Sequence, residues 1–116
     1  MEPYGIIFTP VQIGYLELKN RLVFPPMVIG QAKPDGKVTD AHVGWYEARA
    51  KGGPGLIIVE STAVMPGGVS GPAVLGMWAD DQIIGYRKLI DKVHAHGAMV
   101  FLQLSHAGRQ TDKMFL

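Results

Sequence analysis

Met99-Val100-Phe101-Leu102-Gln103-Leu104, followed by Ser105-His106-Ala107-Gly108-Arg109, decides the fold of this 116-residue chain. An apolar run interrupted only by Gln103 gives way at once to a hydroxyl, an imidazole and a guanidinium. Two earlier stretches are built alike: Arg21-Leu22-Val23-Phe24-Pro25-Pro26-Met27 and Gly55-Leu56-Ile57-Ile58-Val59-Glu60-Ser61. α/β proteins place their chemistry at the carboxyl ends of parallel strands, where a buried run stops at groups able to face a ligand. Three such ends in one short chain indicate part of an active site.

Between these strands the sequence spells helices. Thr39 is the N-cap of the first, Asp40 suits its positive first turn, and Val43, Tyr46 and Ala50 share one face before Gly52-Gly53 ends it. Asp80-Asp81 opens the second, with Ile83, Tyr86, Ile90 and Val93 on one face and Gly97 as its stop. The first core strand is expected over Leu22 to Met27, where Pro25-Pro26 must end its hydrogen bonding because proline has no backbone donor. The second covers Leu56 to Glu60, a continuous apolar run of the kind buried on both faces of a parallel sheet. The third runs from Ala98 to Leu104.

Ahead of them, Val11-Gln12-Ile13 and Leu16-Glu17-Leu18 alternate around Gly14-Tyr15, a type II′ hairpin expected to plug one end of a larger core. Residues 28 to 38 read as loop, with a turn at Lys33-Pro34-Asp35-Gly36. Ser61 to Ala79 has no period and reads as a long, flexible active-site loop. Thr111 to Leu116 end in mid-loop without a fourth strand. The order is a hairpin followed by β-α-β-α-β, with parallel strands joined by right-handed crossovers.

Composition bounds the partners. A hydrophobic content of 47% with 18% charged residues is ordinary for a globular domain. The formal net charge of +1 supplies no field for nucleic acid or a membrane surface. No cysteine is present, so there is neither a disulfide framework nor a thiolate metal site. No apolar run reaches the roughly 20 residues of a spanning helix, and Pro10 cuts Ile6-Ile7-Phe8 too short for a signal peptide. The expected location is the cytoplasm.

Among residues able to carry chemistry, Gln103 shares a strand face with Phe101, opposite Val100, Leu102 and Leu104. It is expected on a buried face, either as a core amide satisfied by backbone or as an amide aimed at a flat heterocycle. Glu60 reads as a carboxylate held by backbone donors or a cation. His106 reads equally as a ligand contact or a loop bond. His94 and His96 diverge near a helix end and do not grip one ion. Gly67-Gly68-Val69-Ser70-Gly71 lacks the spacing and the Lys-Ser/Thr ending of a phosphate loop.

Taken in order and spacing, several stretches resemble the N-terminal part of the Old Yellow Enzyme family, the FMN-dependent NADH:flavin oxidoreductases. They are Phe8-Thr9-Pro10-Val11-Gln12-Ile13-Gly14, Leu18-Lys19-Asn20-Arg21-Leu22-Val23 and Pro25-Pro26-Met27. Arg49-Ala50-Lys51-Gly52-Gly53, Gly55 to Glu60 and Gln103 to Arg109 complete the series. The resemblance spans residues 6 to 113 and implies an α/β (β/α)8 TIM barrel that binds FMN at the carboxyl ends of its strands. It implies that Pro25, Pro26, Met27 and Val28 lie along the flavin near its reactive edge. Ser61 would approach the flavin carbonyl and N5 region, and Gln103 would hydrogen-bond the pyrimidine side. Gly30 stands where some members place a substrate-side tyrosine. Val28 stands where several carry a cysteine or threonine.

The resemblance implies an oxidoreductase in which NAD(P)H reduces FMN and flavin N5 passes hydride to an activated C=C bond or a similar acceptor. A full barrel needs about 250 residues, so residues 1–116 are expected to be the N-terminal portion of one truncated FMN-binding domain: a hairpin, about three parallel strands and two helices. The family's substrate-holding histidine pair, its proton-donating tyrosine and its phosphate segment are expected beyond residue 116. No catalytic residue is therefore assigned here, and neither His94 nor His106 substitutes for one. The alternative is a non-catalytic βα fragment that needs another chain to complete the barrel. The partners expected are a small-molecule substrate and either a second copy or a complementing chain.

Overall fold

The computed structural model describes residues 3–111; of the expected loop at Thr111 to Leu116, all but Thr111 lies outside the described residues. The chain forms a two-stranded antiparallel hairpin and a four-stranded parallel sheet with two helices packed on it. This is a partial barrel.

In the hairpin, β1 (Val11–Ile13) pairs with β2 (Leu16–Leu18). Gly14 turns at φ +59° while Tyr15 keeps a negative φ, which is the type II′ pattern. The hairpin sits at the amino ends of the parallel strands. Lys19 Nζ donates to the His96 carbonyl at 2.7 Å and Asn20 Nδ2 to the Gly53 carbonyl at 2.7 Å, both in turns that feed core strands. Leu18 is buried beneath it.

The sheet centres on β4 (Leu56–Ala63). One edge of β4 carries β3 (Val23–Phe24) at its start, through Leu56 and Ile57, and β5 (Leu75–Gly76) at its end, through Thr62 and Ala63. The other edge carries β6 (Met99–Ser105). β3 is shorter than the sequence suggests, because Pro25 and Pro26 stop the ladder before Met27 joins it. β4 is longer than expected, running three residues past Glu60.

The loop after β4 is not the flexible segment its composition suggests. A 3-10 turn at Pro66–Gly68 and strand β5 order it, Val69, Val74 and Leu75 are buried, and Met77 N–H bonds the Ala63 carbonyl at 2.8 Å. The Tyr86 hydroxyl donates to the Gly76 carbonyl at 3.0 Å, and burial pushes that phenol up to about 12.

Helix α1 (Asp40–Lys51) begins at Thr39 as expected and turns His42, Val43, Tyr46 and Ala50 inward. Helix α2 (Ile83–His94) starts one turn later than Asp80, since Asp80–Gln82 is a 3-10 turn. Of the expected stripe, Tyr86 and Val93 are buried and Ile90 packs against the core, Leu89 joins them, and Ile83 at the first position of the helix is exposed. Both helices pack with Ile57, Val59, Val100 and Leu102 in one core. Trp45 makes edge contacts with Phe24 and Tyr46, and the Arg49 guanidinium lies 3.7 Å over its ring. Among the described residues no helix is long and apolar enough to cross a membrane.

Candidate functional site

Ile58 pairs with Phe101 and Val59 with Leu102, but the next pair is Thr62 with Leu104. Two residues of β4, Glu60 and Ser61, therefore face the single residue Gln103 of β6. This is a β-bulge, a device that re-aims side chains at strand ends. It carries β4 past the point where alternation in the sequence breaks down.

Side chains bond the bulge at Glu60. The Glu60 N–H lies on the stretch of β4 edge that neither β3 nor β5 covers, and it donates to the Tyr46 hydroxyl at 2.9 Å. The Thr62 hydroxyl donates to the Glu60 carbonyl at 2.8 Å. Beyond the bulge, the hydroxyls of Ser61 and Ser105 lie 2.7 Å apart. The ladder register places Ser105 with Gln103 and Phe101 on the sheet face opposite the helices.

The sequence expectation that Gln103 lies on a buried face is corrected here. Its face is the open one, and Phe101 is 39% exposed while Gln103 is itself exposed. The buried face is that of Val100 and Leu102, which the helices cover. Among the described residues the Gln103 amide bonds to nothing, so its donor and acceptor are both uncommitted.

Pro25, Pro26, Met27 and Val28 follow β3 at the carboxyl end of the parallel sheet. Met27 and Val28 are exposed, at 46% and 50%. Ile29 ties this ledge to the bulge, its N–H donating to Glu60 Oε2 at 3.2 Å. The three neighbouring strand ends together span about 10 Å, twice the usual strand spacing.

Glu60 is held by the donors the sequence suggests, but not by a cation. Besides Ile29 it accepts the Tyr46 hydroxyl at 3.1 Å, and His42 Nε2 stands 3.7 Å away. Burial pushes its carboxyl above the usual carboxylate range, against the pull of Ile29 and Tyr46. Burial holds the His42 imidazole below its usual value. His42 was not legible as a core residue. The signal was its position three residues after the N-cap, where Nδ1 accepts the Thr39 N–H at 3.2 Å.

His106 makes the loop bond that is one of its two readings. Its Nδ1 accepts the Gly108 N–H at 2.9 Å, and its ring rests on Gly68, where a Cβ would come within 2.7 Å. The glycines at 67 and 68 are a seat for this segment, with Ala107 N–H on the Gly68 carbonyl at 2.8 Å. His94 is exposed, while His96 faces Glu47 at 3.4 Å. Among the described residues no group of three His, Asp or Glu side chains is placed to hold a metal ion.

An apolar ledge, a paired hydroxyl and a free amide on adjacent parallel strand ends define an α/β barrel mouth suited to a flat, polar-edged ligand. Residues 6–114 match the NADH:flavin oxidoreductase / NADH oxidase family, and the chain belongs to it. It is 44% identical over 107 residues to the NADPH dehydrogenase of Halalkalibacterium halodurans, covering 91% of this chain and 32% of that protein. It superposes on the old yellow enzyme of Trypanosoma cruzi with a TM-score of 0.88 at 36% identity, covering 97% of this chain and 30% of that one. Morphinone reductase in complex with tetrahydroNAD gives a TM-score of 0.83 at 35% identity, covering 90% and 28%. The chain thus spans about a third of the length of the relatives it matches.

Proposed function

We propose that these residues form the flavin-binding first third of an FMN-dependent NAD(P)H oxidoreductase, active as a complete barrel. The bulge carries this reading: it sets Ser61 beside Gln103 at the strand ends, with the Met27–Val28 ledge one strand away. The donor set fits an isoalloxazine, whose faces are apolar and whose pyrimidine edge alternates donors and acceptors. Bound FMN supplies two-electron chemistry between NAD(P)H and a small-molecule acceptor such as an activated C=C bond.

The chain's own residues bind and orient. Gln103 donates to and accepts from the pyrimidine edge, Pro25 to Val28 support the ring near its reactive edge, and Ser61 lies toward its carbonyl and N5 side. Val28 packs without a hydrogen bond, and Gly30 leaves open the space a larger side chain would fill. The reaction draws on the NAD(P)H pool of the cytoplasm, and that is where we place it.

The open sheet supports completion by further βα units. Val23, Phe101 and Leu104 are exposed at 45%, 39% and 62%, and apolar surface and sheet edges of this kind are stable when covered. Whether the covering units share its polypeptide or come as a second chain, the active form is the closed barrel. Titration of FMN with flavin fluorescence as the readout tests the reading. The 116-residue chain alone is expected to give no stoichiometric quenching at low micromolar FMN. The complete barrel carrying these residues is expected to quench it one to one, and a complete barrel that takes up no FMN refutes the proposal.

A further inference from the structure

The proposed flavin contacts leave one buried charged group without a task. Glu60 is fully buried, and its two oxygens are bound to different parts of the molecule. Oε1 accepts the Tyr46 hydroxyl from α1, and Oε2 accepts the Ile29 N–H from the ledge. The same Tyr46 hydroxyl accepts the Glu60 N–H, so one phenol fixes both the backbone and the side chain of the bulge. With Nδ1 of His42 accepting from Thr39, Nε2 carries the ring proton and faces Glu60 Oε1.

The ledge needs such an anchor. β3 stops at Phe24, and Pro25 and Pro26 have no N–H to offer a ladder. Of the N–H groups after the prolines, that of Ile29 is the one a buried side chain holds. A carboxylate is a costly way to fill a core position, and a leucine would avoid that cost. What leucine would not supply is an acceptor for Ile29.

We propose that Glu60 is the positioning residue of the flavin ledge: by accepting the Ile29 N–H it fixes the backbone that presents Met27 and Val28 to the ring, while the Tyr46 hydroxyl holds its carboxylate. The inference rests on the flavin reading above. Glu60 touches no reacting atom and acts through the ledge.

Two variants separate anchoring from packing. Glu60→Leu keeps bulk and removes both oxygens, whereas Glu60→Gln keeps an acceptor for Ile29. In the 116-residue chain, amide exchange at Ile29 is expected to accelerate at least about tenfold in Glu60→Leu, the loss of one buried hydrogen bond. Glu60→Gln restores it, and the amides of Ile57 and Val59 in β4 stay unchanged. In the complete barrel Glu60→Leu weakens FMN about tenfold and shifts the visible absorption of the bound flavin, and Glu60→Gln restores both.

Unchanged Ile29 exchange in Glu60→Leu overturns the inference, as does a loss of FMN affinity that Glu60→Gln fails to restore. If Glu60→Leu does not fold, Glu60→Met, which also removes both oxygens but fills the site more adaptably, gives the same contrast against Glu60→Gln. Loss of the acceptor speeds Ile29 exchange there as well, and an unchanged rate overturns the anchor. A complete barrel that binds no FMN before any substitution refutes the flavin reading instead, which also overturns the role of the ledge.

Discussion

Replacing Gln103 by leucine separates what holds this chain together from what it holds. The amide is exposed, sits on the open face of β6, and bonds to no other group among the described residues. Removing it leaves no internal donor or acceptor unpaired, so the chain's own stability should move by no more than about 0.5 kcal/mol. Leucine has nearly the same reach, and packing changes little. On the flavin reading, the same amide would pair in the complete barrel with polar ring atoms shielded from water. Its loss strands those atoms at about 1–3 kcal/mol, or roughly tenfold to a hundredfold in FMN affinity. Urea unfolding of the chain reads the first quantity, and FMN titration of the complete barrel reads the second. Unchanged affinity would show that Gln103 does not reach the flavin. A parallel loss of more than about 1 kcal/mol in stability would show that the amide is structural.

Val28 is half exposed on the ledge, and Val28→Thr adds a hydroxyl with little change in volume. A shift of tens of millivolts in flavin potential is expected at nearly constant affinity, about 30 mV being roughly 1.4 kcal/mol for a two-electron couple; an unchanged potential in anaerobic dye titration refutes the placement of residue 28. Tyr46→Phe removes the partner of both the Glu60 N–H and Oε1, each buried, and should destabilise the chain by about 2–5 kcal/mol. At roughly 4 °C per kcal/mol for this size, a fall in Tm under about 4 °C contradicts that accounting. His42 is held neutral by burial, so the unfolded chain binds more protons at this site as pH falls through the ordinary histidine range. Wild-type stability at this site is therefore present at higher pH and lost on acidification, and the Tm gap to His42→Gln should narrow from about pH 7.5 to about pH 5.5; a gap independent of pH refutes it.

Much of this architecture was legible in local chemistry. The prolines after Phe24, the cap at Thr39 and the apolar run from Leu56 marked three elements where the structure has them. Alternation also assigned Phe101 and Gln103 to one face of β6. Alternation does not report burial, though, and the face called buried is open because no described residue packs over it. The end of β4 was missed for a different reason. At a bulge the period of two slips by one residue, and Ser61-Thr62 then look like the start of a loop. β5 is two residues between glycine and proline-rich turns, too short to show any period. The stripe of α2 was read at Tyr86, Ile90 and Val93 but missed at Ile83, which directly follows the 3-10 turn and lies exposed. His42 was hidden as a polar residue in a core, since its burial depends on Glu60 and Tyr46 packed against it.

The two polar sets at this strand end obey opposite economies. Gln103 and the Ser61–Ser105 pair lie on the open face, and of these the Gln103 amide is not spent on internal bonds. Such groups add little to folding, which leaves them free to meet a ligand. Glu60, Tyr46 and His42 lie on the closed side with essentially no exposure, and Glu60 and His42 resist their charged forms there. A buried cluster of this kind opposes folding unless its polar atoms are paired; Glu60 and Tyr46 are, whereas His42 Nε2 is buried with no hydrogen-bond partner among the described residues. The bulge joins the two sets: Glu60 turns into the protein and Ser61 stays beside Ser105, from adjacent positions of one strand. Rigidity made on the closed side is thereby delivered to the open side through the Ile29 N–H and the ledge it carries. A loop alone would not transmit it, because two prolines deprive this one of a ladder to lean on.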